Sequence, residues 1–60
     1  MSEKLIVALD VPDLKRAEAI VEKISPLVKT FKIGNELFTA AGPDAVHMIH
    51  AHKGRVFLDL

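Results

Sequence analysis

The feature that most constrains the fold is the alternation of short apolar runs with longer amphipathic segments. The first run, residues 5–9, ends at Asp10, and similar runs follow at residues 27–33 and 55–60. Runs of this length are too short for helices and are typical of strands in a parallel sheet. The alternation predicts three parallel strands joined by right-handed helical crossovers.

The two segments between the runs have the periodicity of helices. Asp13 is a candidate N-cap, and apolar residues recur every three or four positions after it as far as Ile24. Residues 36–41 can form a helical turn before a longer helix, for which Pro43 suits the first position and Gly54 the C-cap. No linker or internal repeat divides the chain, so it is predicted to form one unit.

The predicted topology leaves one face of the sheet uncovered. Two consecutive crossovers of the same hand place both helices on one side, and a closed barrel buries the other side against itself. A (β/α)8 barrel has about 250 residues, so sixty residues correspond to about a quarter of one. The predicted fold class is α/β: a parallel βαβαβ unit, with residues 1–60 as the N-terminal part of a single (β/α)8 TIM barrel domain.

Composition excludes several classes of function. Eight basic and eight acidic residues give no net charge, which disfavours binding to nucleic acid or to an anionic membrane. The longest apolar run has five residues, against the roughly 20 that span a bilayer, and residues 1–4 lead into no signal-peptide pattern. We therefore expect a cytoplasmic protein, and the absence of cysteine excludes disulfides and thiolate chemistry.

Three charged residues lie at or near the carboxyl ends of the predicted strands. They are Asp10, Lys32 and Asp59, and parallel α/β folds place their chemistry at this edge. Each alone is explained as a capping residue or as a lysine that extends to the surface. Together they predict a site in which one ammonium lies between two carboxylates and all three stay ionised.

Other candidates carry less weight. His47 and His50 are three positions apart and His52 lies nearby, but no third metal ligand of suitable geometry is apparent, so these side chains are predicted to lie on a helix surface. Glu36 after the second strand is explained by the preference for a carboxylate at a helix start. No metal site is predicted.

Three segments carry a resemblance to a known family. Residues 5–10 (LIVALD), 31–38 (FKIGNELF) and 56–60 (VFLDL) resemble, as an ordered set, the N-terminal part of the orotidine 5′-monophosphate decarboxylases. Related sugar-phosphate decarboxylases and aldolases share both aspartates but carry an acidic metal ligand near the strand-two lysine. Lys32 therefore favours the orotidylate branch.

The resemblance implies a homodimeric (β/α)8 barrel of pyrimidine biosynthesis that converts orotidine 5′-phosphate to uridine 5′-phosphate (UMP) and carbon dioxide without a metal or organic cofactor. By this likeness, Asp10 would contact ribose or base-edge groups of the substrate. Lys32 would bind a ribose hydroxyl and pair with the carboxylates, and Asp59 would lie beside the departing carboxylate. Lys32 and Asp59 are thus the implied catalytic residues, and Asp10 binds substrate with them.

The resemblance also implies parts that follow Leu60. The family's proton-donating lysine comes two positions after the strand-three aspartate, and its phosphate-binding loops come later still. We therefore expect the sixty residues alone to be inactive. Three alternatives stay open: a related sugar-phosphate decarboxylase of the same suprafamily, a self-associating unit with a structural role, and a small-molecule-binding module that uses Asp10 and Lys32.

Overall fold

The computed structural model describes residues 5–60, which form a sheet with helices packed on one face. Residues 1–4, from which the absence of a signal peptide was argued, lie outside this range. Within it, three strands pair in parallel in the order β1-β2-β3, as the alternation predicted. The strands are β1 Ile6–Ala8, β2 Thr30–Gly34 and β3 Arg55–Asp59, and the helices are α1 Leu14–Ile24, α2 Asn35–Ala41 and α3 Pro43–Ala51.

The two faces of the sheet differ in burial. In β2, Phe31 and Ile33 are fully buried, whereas Lys32 between them lies on the opposite face and is half-buried. Ala8 pairs with Lys32, which pairs in turn with Phe57. This register defines the open face, which carries Ile6, Ala8, Thr30, Lys32, Gly34, Arg55, Phe57 and Asp59.

The core lies between the other face of the sheet and the helices. Since α1 and α3 both pack there and contact each other, the prediction that the crossover helices share one side is confirmed. On the open face, Ile6 and Phe57 are about half exposed. The core consists of Leu9, Ala17, Val21, Phe31, Ile33, Leu37, Ala45, Met48 and Ile49.

Helix α1 begins and ends at residues that the sequence indicated. Asp13 is the N-cap, and its carboxylate accepts a hydrogen bond of 2.8 Å from the backbone N–H of Arg16. After Ile24, the backbone N–H groups of Leu27 and Val28 both donate to the carbonyl oxygen of Ile24. These bonds close the helix end, so β2 begins at Thr30. The prediction that the second strand begins at residue 27 was wrong.

Strand β2 leads into α2 without a loop. The sequence predicted one helical turn here, but α2 is a helix of seven residues that begins at Asn35. Gly42 separates α2 from α3 with φ of 61°, a left-handed conformation that glycine adopts without steric cost. Pro43 occupies the first turn of α3, as predicted. None of the helices in residues 5–60 is both long and apolar enough to cross a membrane.

The end of α3 differs from the prediction. The left-handed residue is Lys53, with φ of 64°, and Gly54 does not have positive φ. The backbone N–H of Gly54 donates to the carbonyl oxygen of Ile49, and the backbone N–H of Lys53 donates to the carbonyl oxygen of His50, both at 2.9 Å. These two hydrogen bonds are those of a Schellman motif. Gly54 is required for space: a Cβ there would lie 2.9 Å from Ile49 Cγ2 and 3.2 Å from a ring carbon of Phe31.

Gly54→Ala is expected to lower the free energy of unfolding of the full-length protein that carries these residues by about 1–3 kcal/mol, because the added methyl group overpacks a buried contact. Urea denaturation measures the change. Gly34→Ala is the matched control, because its Cβ would meet only the Asp59 carbonyl oxygen at 3.9 Å. Equal destabilisation by the two variants would contradict the steric explanation.

Candidate active site at the carboxyl ends of the strands

An ion pair joins β2 and β3 on the open face. Lys32 Nζ lies 3.6 Å from Asp59 Oδ2. Asp59 is the last residue of β3 and pairs in register with Gly34, two residues beyond Lys32. The lysine side chain therefore extends along the open face toward the carboxyl edge of the sheet.

Gly34 lies next to the carboxylate end of this ion pair in the strand register. It occupies the position on β2 beside Asp59, and its missing side chain places no group next to the carboxylate. A larger residue there would project from the open face at the level of Asp59.

Asp10 lies at the same edge but does not contact the ion pair. The N–H of Leu9 donates to the carbonyl oxygen of Lys32 at 2.9 Å, so the pairing of β1 with β2 continues past Ala8. Continuing this register places Asp10 level with Gly34, and its backbone is then roughly 10 Å from that of Asp59, two strand spacings away. Within residues 5–60, Asp10 forms no salt bridge. The structure brings together two of the three predicted site residues and leaves the third exposed beside them.

The ion pair contributes little to stability. The side chain of Lys32 is 34% exposed and that of Asp59 is 62% exposed, and pairs accessible to water contribute about 0–1 kcal/mol. Its importance is positional, because an ammonium and a carboxylate are held next to each other on strands rather than on loops. Such an arrangement presents a fixed electric field to a molecule bound at the carboxyl edge.

The histidines differ in their surroundings. His47 and His50 are exposed on α3, as predicted. His52 is half-buried, and its Nε2 lies 3.3 Å from Glu18 Oε2 of α1. Three possible ligand atoms lie within 4.8 Å of one another, one each from Glu18, Glu22 and His52. We call this group the outer cluster.

Sequence reasoning missed the outer cluster because it considered the histidines only with one another. Glu18 and Glu22 are four residues apart, which places them on the same side of a helix. That spacing is visible in the sequence. The contact with His52, thirty-four residues after Glu18, follows only from the packing of α1 against α3.

A comparison with protein families decides the classification of the chain. A model of the orotidine 5′-phosphate decarboxylase / HUMPS family matches residues 3–60. The chain belongs to this family. The fold of the family is the TIM barrel, and the three parallel strands with their helices agree with the first part of one.

Individual relatives agree with this family membership. The chain is 57% identical over 58 residues to an orotidine 5′-phosphate decarboxylase of Moorella thermoacetica, covering 97% of the chain and 23% of the relative. It is 54% identical over 57 residues to the orotidine 5′-phosphate decarboxylase of Trichlorobacter lovleyi, covering 95% of the chain and 24% of the relative. It is 44% identical over 59 residues to the orotidine 5′-phosphate decarboxylase of a Nostoc species, covering 98% of the chain and 24% of the relative. The chain thus spans about a quarter of the length of these curated relatives.

Proposed function

We propose that these residues are the first three strands of a single-domain barrel that decarboxylates orotidine 5′-phosphate to UMP, and that this enzyme is a cytoplasmic homodimer. The observation that carries the proposal is the Lys32–Asp59 ion pair at the carboxyl edge of a parallel sheet, in a member of the decarboxylase family. Active sites of (β/α)8 barrels lie at this edge. The remaining strands cover the open face, which buries Ile6 and Phe57.

The reaction breaks the bond between a ring carbon and the carboxylate. Carbon dioxide leaves, the electron pair of the bond stays on the ring carbon, and a proton then replaces the lost group. The step is slow in water because charge accumulates on that carbon, so ammonium groups fixed near it stabilise the transition state. Lys32 binds a ribose hydroxyl and holds Asp59 in position, and Asp59 lies beside the departing carboxylate.

Asp10 has a binding role in this proposal. Its exposed carboxylate, at the edge of β1, accepts hydrogen bonds from ribose or base-edge groups of the substrate. The proton for the ring carbon comes from a lysine outside residues 1–60. The sixty residues alone therefore hold part of the binding and electrostatic machinery and lack the proton donor.

The family also includes sugar-phosphate enzymes, and two observations favour the orotidylate reaction. Lys32 is a cation near the position at which those enzymes carry an acidic metal ligand, and in this structure it forms the ion pair with Asp59. The relatives at 44–57% identity all carry the name orotidine 5′-phosphate decarboxylase. The alternative of self-association through the open face stays a prediction.

The test is an assay of the full-length protein with orotidine 5′-phosphate, in which chromatography measures the UMP formed. We expect turnover that continues in the presence of a chelator, and no turnover of a sugar phosphate that carries a carboxylate. Addition of the isolated residues 1–60 in place of the full-length protein should give no product. Failure of the folded full-length protein to form UMP, or loss of turnover on chelation while the protein stays folded, would refute the proposal.

A further inference from the structure

The outer cluster combines two carboxylates of α1 with the imidazole of the residue that follows α3. Glu18 and Glu22 project from α1, and His52 follows directly after the end of α3. Imidazole nitrogen and carboxylate oxygen are ligands that zinc and similar divalent ions bind together in proteins. Because the ligands come from different helices, an ion bound here would connect α1 to α3.

The distances suit one ion. Zinc binds nitrogen and oxygen ligands at about 2.0–2.2 Å, so two ligands of a tetrahedral ion are about 3.3–3.5 Å apart. His52 Nε2 and Glu18 Oε2 are already 3.3 Å apart. A Glu22 oxygen belongs to the same group of atoms, all within 4.8 Å of one another, and Glu22 is exposed, so its side chain has room to move closer to the other two.

The charges favour a cation. Glu18 and Glu22 are like-charged neighbours on one side of a helix, which is unfavourable without a positive charge nearby. Within residues 5–60, no lysine or arginine nitrogen lies within 4.0 Å of either carboxylate. His52 is the group that faces them, and its side chain is only 24% exposed, so its ring is held by its surroundings.

The outer cluster is remote from the proposed active site. His52 precedes β3 by three residues, at the amino end of the strand, whereas Asp59 is the last residue of β3. The cluster also belongs to the helix layer, whereas Lys32 and Asp59 lie on the open face. In barrels, residues at the amino ends of the strands contribute to stability rather than to chemistry.

We propose that Glu18, Glu22 and His52 bind one divalent transition-metal ion, with zinc as the test ion, and that this ion connects α1 to α3. Water completes the coordination, because the three side chains leave one position of a tetrahedron open. The ion stabilises the protein because it binds the folded state, in which the two helices are adjacent.

The test is calorimetric titration of zinc into the full-length protein, purified without a histidine tag and treated with a chelator. We expect binding of one ion by the parent protein. Glu22→Gln in α1 and His52→Asn just after α3 should each weaken binding by at least about tenfold. Glu36→Gln and His50→Asn are the matched controls, with the same substitutions outside the cluster, and should bind zinc as the parent does.

Thermal unfolding distinguishes a metal site from a simple ion pair between His52 and Glu18. Zinc should raise the Tm of the parent and of both controls but not that of His52→Asn. The proposal is overturned if zinc raises the Tm of His52→Asn equally, or if neither cluster variant changes the affinity. Turnover of orotidine 5′-phosphate, measured on the same samples, reports on the proposed function separately.

Discussion

Replacing Lys32 by methionine in the full-length protein is expected to lower kcat/KM for orotidine 5′-phosphate by about 10²–10³-fold or more. The substitution keeps an unbranched side chain, one heavy atom shorter, but removes the ammonium group that lies 3.6 Å from Asp59. Both the contact with substrate and the partner that holds Asp59 are lost. Urea denaturation of the variant checks that it remains folded.

Steady-state assays of UMP formation measure this effect. Lys23→Met is the matched control, because Lys23 is an exposed residue in the last turn of α1, the end of the helix that leads to the amino end of β2. Asp59→Asn should also be strongly impaired, and the double variant should be less impaired than the product of the two single effects, since the residues act as a unit. Near-parental activity of Lys32→Met would show that Lys32 is not part of the active site.

Leu37→Ala is expected to lower the free energy of unfolding of the full-length protein by about 2–5 kcal/mol. Leu37 lies on α2, is 1% exposed, and belongs to the core beneath the sheet. Truncation removes buried apolar surface and leaves a cavity in the core that the surrounding residues fill only in part.

Urea denaturation measures the loss, and Leu27→Ala makes the same chemical change at a residue that is 71% exposed. The control should shift the free energy of unfolding by less than about 0.5 kcal/mol. If both leucines proved equally sensitive, Leu27 would have to be buried by parts of the protein beyond these sixty residues.

Local pattern was sufficient to predict most of the fold. Asp13 caps α1 as predicted, because a carboxylate before an amphipathic segment satisfies free N–H groups wherever it occurs. The parallel sheet followed from the alternation of the elements. The sequence predicted too early a start for β2 because Leu27 and Val28 have side chains typical of strands. Their backbone N–H groups instead donate hydrogen bonds to the carbonyl oxygen of Ile24. Side-chain type does not reveal where a backbone hydrogen bond goes.

The sequence predicted only part of the candidate active site. Lys32 and Asp59 were expected to approach because parallel strands end at one edge, and the ion pair agrees with that expectation. Their roles in catalysis stay a prediction. Asp10 lies apart from the pair because β2 separates β1 from β3, whereas the prediction of a single site rested only on the strands ending at one edge.

The amino-acid sequence by itself determined the kinds of elements, the side of α1 that is buried and the residues at the strand ends, since these depend on periodicities of a few residues. Only the tertiary structure decided that Gly54 is needed for space against Ile49 and Phe31, and that Glu18 and Glu22 meet His52. The physical reason is that these contacts join residues distant in sequence, and their distances are set by how helices pack on the sheet.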